Sequence, residues 1–128
     1  MIFLDSSFLI SFFAENDQYH EKAMEIAGKI ENREKVISKL VIAETITILR
    51  LKLNAKQVLE IYSNLPENFR VIEDQKYYNN AMKEFLKYNG NISFFDSMYL
   101  YLMKKENIDE IVSFDEDFDN KKGIIRVH

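Results

Sequence analysis

Four acidic residues occupy positions that ordinary surface acids do not. Asp5 is the single charge among residues 1–14 and directly follows the apolar run Ile2-Phe3-Leu4. Glu44 is the single charge of residues 40–49, LVIAETITIL, and Asp96 is the single charge of residues 92–103, ISFFDSMYLYLM. Asp115 follows a later apolar run, in the stretch SFDEDFD. A carboxylate on a helix that is apolar on nearly every face must shift its pKa, pair, or bind a cation, because burying it bare costs several kcal/mol. No lysine or arginine lies within one helical turn of Glu44 or Asp96, which removes a local ion pair. Four carboxylates within about 5 Å of one another repel by roughly 3 kcal/mol per pair at an effective dielectric of about 20. A fold keeps such a cluster only if something cationic offsets it. Hard cations such as Mg²⁺ and Mn²⁺ prefer carboxylate oxygens and water. The chemistry that such a site supports is metal-assisted hydrolysis.

Each acid also has a purely structural reading. Asp5 can cap a helix starting at Ser6. Ser93 and Asp96 form an S-x-x-D capping box. Asp115 reads as a turn residue. Glu44 lies too deep in its helix to cap it and would need a partner from elsewhere in the fold.

Composition narrows the alternatives. The 128 residues make one domain, long enough to bury a core without staples. The absence of cysteine excludes disulfides, zinc ribbons and thiol catalysis. His20 and His128 are the only imidazoles, so zinc would rest mostly on oxygen, which is not its habit. His20 itself reads as a helix-face or cap residue. The net charge of −4 argues against a nucleic-acid partner, an objection that weakens where bound cations reverse the local field. Lys39, Arg50, Lys104 and Lys105 are candidates for phosphate contact, although each equally suits the solvated end of a helix. Tyr77, Tyr78, Tyr99 and Tyr101 could stack on bases, line a dimer interface, or fill core and rim. The apolar start MIFLDSSFLISFF lacks the basic leader and small-residue cleavage site of a signal peptide. No window approaches the roughly 20 apolar residues of a membrane span. A cytoplasmic protein without membrane contact is the expectation.

The elements that must position these acids are short. Ile2–Leu4, Val36–Ser38, Phe69–Ile72, Glu110–Phe114 and Ile124–Val127 read as strands. Ala23, Ile26, Ala27 and Ile30 recur at helical spacing, as do Val58, Ile61, Tyr62 and Leu65, and Tyr78, Ala81, Met82 and Phe85. Turns are expected at Asn16-Asp17, Pro66-Glu67-Asn68, Asn89-Gly90-Asn91 and from Asp119 to Gly123. Helices between short buried strands predict an α/β domain with a mainly parallel sheet covered on both faces. Ligands of such folds sit at the carboxyl ends of the strands.

With these residues in order, the sequence resembles a PIN-domain ribonuclease, and more narrowly the toxin of a VapBC-type toxin–antitoxin pair. The match runs through Ile2-Phe3-Leu4-Asp5-Ser6-Ser7-Phe8-Leu9-Ile10, Val41-Ile42-Ala43-Glu44, Phe94-Phe95-Asp96-Ser97 and Ser113-Phe114-Asp115-Glu116-Asp117-Phe118, with a last strand after Gly123. The resemblance spans the whole chain, residues 1–128, as a single PIN-like domain. It implies a five-stranded sheet of order 3-2-1-4-5, homodimerisation, and endonucleolytic cleavage of RNA dependent on Mg²⁺ or Mn²⁺. It also implies a small antitoxin that plugs the site. In this scheme Asp5, Glu44, Asp96 and Asp115 hold one or two ions, with Asp5 and Asp96 the first choice for direct ligands. Either Asp115 or Asp117 could be the fourth acid; alternation along the strand from Ser113 favours Asp115. Ser7 and Ser113 are candidate donors that orient the carboxylates.

Two other classes compete. Phosphoryl transfer through an aspartyl phosphate, as in haloacid-dehalogenase-type phosphatases, wants a second Asp two residues after the first, where this chain has Ser7. A phosphate-binding loop of the G-x-x-x-x-G-K-[ST] type is absent. The second class is a catalytically silent PIN-like module that only binds or dimerises. A housekeeping RNA-processing nuclease also remains open beside the toxin.

Overall fold

The apolar runs become one parallel sheet. A computed structural model describes residues 1–128, with strands at Ile2–Leu4 (β1), Lys35–Ser38 (β2), Arg70–Ile72 (β3), Glu110–Val112 (β4) and Ile125–Val127 (β5). They pair in the order β3-β2-β1-β4-β5, every neighbour parallel, which is the expected order. All three residues of the central β1 are fully buried, as befits a strand covered on both faces.

Six helices make the connections: Ser6–Phe13 (α1), His20–Lys29 (α2), Lys39–Leu49 (α3), Ala55–Asn68 (α4), Tyr78–Lys87 (α5) and Phe94–Lys105 (α6). The steps from β1 to β2 and from β2 to β3 run the same way along the sheet, and the step from β3 to β4 runs back. Right-handed crossovers therefore put α1 to α4 on one face and α5 and α6 on the other. The packing follows that division, with α1 against α2 and α3, α3 against α4, and α5 against α6. None of the six is long and apolar enough to cross a membrane.

Two local expectations differ from the structure. Pro66-Glu67-Asn68 is not a turn but the last turn of α4. Buried Leu65 anchors that turn, and its carbonyl accepts from the Phe69 amide at 3.0 Å. Proline so near a helix end forfeits a single intrahelical bond. The fourth strand stops at Val112, so Ser113 and Phe114 lie beyond it. The turn at Asn89-Gly90-Asn91 does form, with both Asn89 and Gly90 at positive φ.

Three caps fix where helices begin around the site, two of them directly after a strand. Asp5 caps α1, Ser38 caps α3 and Ser93 caps α6, each with an extended backbone and a side-chain oxygen that accepts a first-turn amide. Asp5 and Ser38 directly end β1 and β2, so the strands' carboxyl ends and the amino ends of α1 and α3 meet at one edge.

Candidate active site

Asp5 caps α1 and is bound by side-chain hydroxyls at the same time. One of its oxygens, Oδ1, accepts the Ser6 amide at 2.7 Å, which is the helix cap. The other, Oδ2, accepts the Ser7 hydroxyl at 2.9 Å and the Ser113 hydroxyl at 2.6 Å. The same two hydroxyls accept backbone amides from the segment after β4: Phe114 donates to Ser7 at 3.0 Å and Asp115 to Ser113 at 2.9 Å. Ser7 and Ser113 thus tie the first acid to the segment carrying the last ones, across more than 100 residues of chain.

Glu44 finds its partners from elsewhere in the fold. Its Oε1 accepts the hydroxyl of Ser6 from α1 and that of Tyr99 from α6, the latter at 3.0 Å. Neither is a cation, so Glu44 has no ion pair. Tyr99 is fully buried against Phe3, with ring centroids 5.5 Å apart. Burial first, and then Glu44, hold its phenol well above the usual tyrosine range.

Asp96 decides between the two readings of its helix start. Ser93 Oγ accepts the Asp96 amide at 3.1 Å, which is half of a capping box. The reciprocal half is not made. In α4 both halves form, between Asn54 and Gln57 at 2.9 and 3.0 Å. The Asp96 carboxylate therefore stays uncommitted, though the residue is only 5% exposed. Burial first, then Asp5, Asp115, Glu44 and Asp117, push its pKa up from 3.8 to about 8. Burial also raises Asp5, to about 6, with Ser113 and Ser7 opposing and Glu44 reinforcing the rise.

Oxygens of Asp96, Asp115 and Asp117 lie within 4.8 Å of one another. Asp115 caps a short 3-10 turn, Glu116–Phe118, by accepting the Asp117 amide at 2.8 Å. Both acids thereby join the cluster. The strand alternation that favoured Asp115 does not apply, because β4 has already ended. Burial falls from Asp96 through Asp115 to Asp117, so the cluster opens to solvent on the Asp117 side. All the donor atoms are oxygens, the set that suits a hard divalent cation. An acid buried among acids, with neither cation nor hydrogen-bond donor of its own, is the feature such an ion would satisfy.

The basic candidates are not gathered here. Lys39 starts α3 beside the sheet's carboxyl edge and pairs with Glu73 at 3.7 Å. Arg50 caps the far end of α3, six residues beyond Glu44. Lys104 pairs with Glu84, and Lys105 lies 5.2 Å from the Tyr77 ring centroid. Both belong to the last turn of α6, next to Glu106, which pairs with Arg70 at the amino end of β3. That is the opposite edge of the sheet from the acids. His20 Nδ1 donates to the Ser11 carbonyl at 2.8 Å, a local role at the start of α2. Of the tyrosines, Tyr77 packs on Tyr101, Tyr78 on Phe94, and only Tyr99 reaches the site. A separate groove of about 980 Å³, lined by Phe12, Phe13, Lys52, Ile61 and Leu65 among others, contains none of Asp5, Glu44, Asp96, Asp115 and Asp117.

Sequence reasoning missed Ser6 and the hydrogen bond of Tyr99. The three-residue spacing from Asp96 to Tyr99 puts both on one helix face, which was a usable signal. Nothing local announced Ser6 as a donor to Glu44, 38 residues away.

Sequence and fold agree when compared with known proteins. The PIN domain family model matches residues 2–124. This chain belongs to the PIN-domain family. Comparison with curated proteins returns no match. Among solved structures, the PIN domain is similar to Mycobacterium tuberculosis VapC20, a sarcin–ricin loop cleaving toxin, with a TM-score of 0.81 at 21% identity over 91% of this chain and 92% of that one. It is also similar to a chain of the Rickettsia felis VapBC2 complex bound to promoter DNA (TM-score 0.69, 17% identity, 99% and 98% covered). A third is a toxin–antitoxin complex from Klebsiella pneumoniae (TM-score 0.72, 15% identity, 98% and 96% covered). At these identities the likeness establishes the fold alone.

Proposed function

We propose that this PIN domain is an endoribonuclease dependent on Mg²⁺ or Mn²⁺ and the toxin of a toxin–antitoxin pair. The observation that carries the reading is Asp96: a buried carboxylate with no donor and no cation, surrounded by Asp5, Glu44, Asp115 and Asp117. Asp5, Asp96, Asp115 and Asp117 would hold one or two ions, with Glu44 at the margin. Bound there, the metal supplies the positive charge that acidifies a water and offsets charge building on a phosphodiester.

The chain's own residues supply the order. Ser7 and Ser113 fix Asp5 Oδ2 and so define the direction from which it can ligate. Ser6 and Tyr99 both bind Glu44 Oε1, which leaves Oε2 to take a proton from the attacking water. Asp115 is the second candidate for that proton. Lys39 is the phosphate contact best placed to steer RNA toward the acids, whereas Arg50, Lys104 and Lys105 lie farther away.

The similar structures support the biological half of the proposal. One is described as a sarcin–ricin loop cleaving toxin and two as toxin–antitoxin assemblies. RNA is therefore the proposed substrate and a small antitoxin the proposed partner, both acting in the cytoplasm. A homodimer is proposed as well, since Tyr78, Met82 and Leu86 form an exposed apolar stripe along α5.

Incubation of the purified protein with total RNA and Mn²⁺ or Mg²⁺ tests the activity. Discrete fragments that disappear with EDTA and with Asp96→Asn are the expected result. Absence of cleavage with either metal, or cleavage that survives both controls, would overturn it.

A further inference from the structure

Residues 113–119 carry two of the cluster acids and are themselves hard to hold in place. Asp115, Glu116, Asp117 and Asp119 fall in this one segment, which contains no lysine or arginine. Like charges so close favour an opened loop. Two features oppose this. Phe118 is fully buried and anchors the segment just before its last residue. Arg126, from the neighbouring strand β5, grips both ends.

The grip is specific in its atoms. Arg126 Nε and Nη2 donate to Asp119 Oδ1 and Oδ2 at 2.7 and 3.0 Å, a two-pronged pairing. Its third nitrogen, Nη1, donates to the Ser113 carbonyl at 3.2 Å. The arginine side chain is 10% exposed, unlike the solvated pairs elsewhere on this surface. Its backbone is registered against Ile111 of β4, and Ser113 donates to Val127 at 3.2 Å. The guanidinium therefore stands on a fixed base and spans the segment from its first residue to its last.

We propose that Arg126, acting through Asp119, is a positioning residue of the metal centre: it fastens Ser113 and Asp119 and thereby sets where the Asp115 and Asp117 carboxylates stand. The proposal rests on the reading of those acids as metal ligands. It differs in sign from a simple charge effect. A cation close to a divalent ion repels it, so removing Arg126 would tighten metal binding if charge were its only influence. If position is its influence, removal weakens binding.

Calorimetric titration with Mn²⁺ near neutral pH separates the two, with thermal melts in EDTA for each variant. Arg126→Gln is expected to weaken Mn²⁺ binding by about 10- to 100-fold, the range for residues that orient ligands. Arg126→Lys keeps the charge but cannot span three acceptors, and should still lose about 10-fold. The double variant Asp119→Asn/Arg126→Gln leaves net charge unchanged and should be as weak as Arg126→Gln. Unchanged or tighter Mn²⁺ binding in a folded Arg126→Gln protein overturns the proposal. So does full affinity in Arg126→Lys, which decides alone if Arg126→Gln does not fold. Failure of the wild-type protein to take up Mn²⁺ would instead overturn the metal-centre reading, and this proposal with it.

Discussion

Replacing Asp96 by asparagine is expected to make the metal-free protein more stable at alkaline pH, although it removes a proposed metal ligand. In the fold Asp96 titrates at about 8, against an ordinary 3.8. Between those values the folded protein retains a proton that the unfolded chain has released. Wild-type stability therefore falls as pH rises through that window, and is greatest below it. Each unit of pKa difference corresponds to about 1.4 kcal/mol, which sets an upper bound of roughly 6 kcal/mol above pH 8. Asp5, itself raised to about 6, repels Asp96, so the two contributions are not summed. Water and counter-ions drawn into the open side of the cluster reduce the bound by roughly half, to about 3 kcal/mol. Asparagine keeps the shape and the backbone cap to Ser93 but removes the charge.

The assay is thermal melting of wild type and Asp96→Asn in EDTA across this pH range. For a domain of this length, about 3–5 °C accompany each kcal/mol, so the variant should melt roughly 10 °C higher near pH 8.5. The two should converge only below about pH 4, where the unfolded chain is protonated as well. Adding Mn²⁺ at about 100 times its Kd should stabilise wild type by about 2.7 kcal/mol and the variant far less. Equal melting temperatures at alkaline pH, or a wild type whose stability rises from pH 5 to 8, would refute the crowding of charge around Asp96.

Further predictions bear on the donors, the steering charge and one turn. Ser113→Ala removes the 2.6 Å donor to Asp5; titration should show Mn²⁺ bound about 10-fold or more weakly, with the acid limb of the pH–rate profile moved upward. An unmoved limb would mean that Ser113 does not act on Asp5. Tyr99→Phe leaves Glu44 with Ser6 as its remaining hydroxyl donor and should cost about 1.5–3 kcal/mol in urea unfolding at neutral pH. That loss should vanish in a Glu44→Leu background; an equal loss in both would place the hydroxyl's role elsewhere. Lys39→Ala should raise the KM for RNA several-fold while Lys105→Ala leaves it unchanged, and the reverse pattern would misplace the substrate. Gly90→Ala should destabilise by about 1–2 kcal/mol, because φ is +68° and the new Cβ would stand 3.1 Å from Phe85 Cζ. Unaltered chemical denaturation would contradict it.

Much of this molecule could be read without coordinates because the relevant signals are local. Runs such as Ile2-Phe3-Leu4 and Glu110-Ile111-Val112 are short, apolar and bounded by caps, so strand identity follows from neighbours in the chain. The isolation of Asp5, Glu44 and Asp96 is likewise visible within a dozen residues of each. Sheet order came from the ordered set of acids and its likeness to PIN domains, since periodicity does not encode which strands pair. What required the tertiary structure were facts about partners distant in sequence. A capping box can be spelled by Ser93 and Asp96, yet its reciprocal hydrogen bond is a matter of rotamer, and here it is left open. Asp117 joins the cluster because β4 ends early and a 3-10 turn follows, a termination that Phe114 did not signal. Lys104 and Lys105 follow Asp96 in one helix, but the axial rise of about 1.5 Å per residue carries them to the other edge of the sheet. Glu44 looked unpartnered because its donors come from 38 residues before it and 55 after. Sequence shows that a buried charge needs a partner, and only the folded chain shows which groups arrive to meet it.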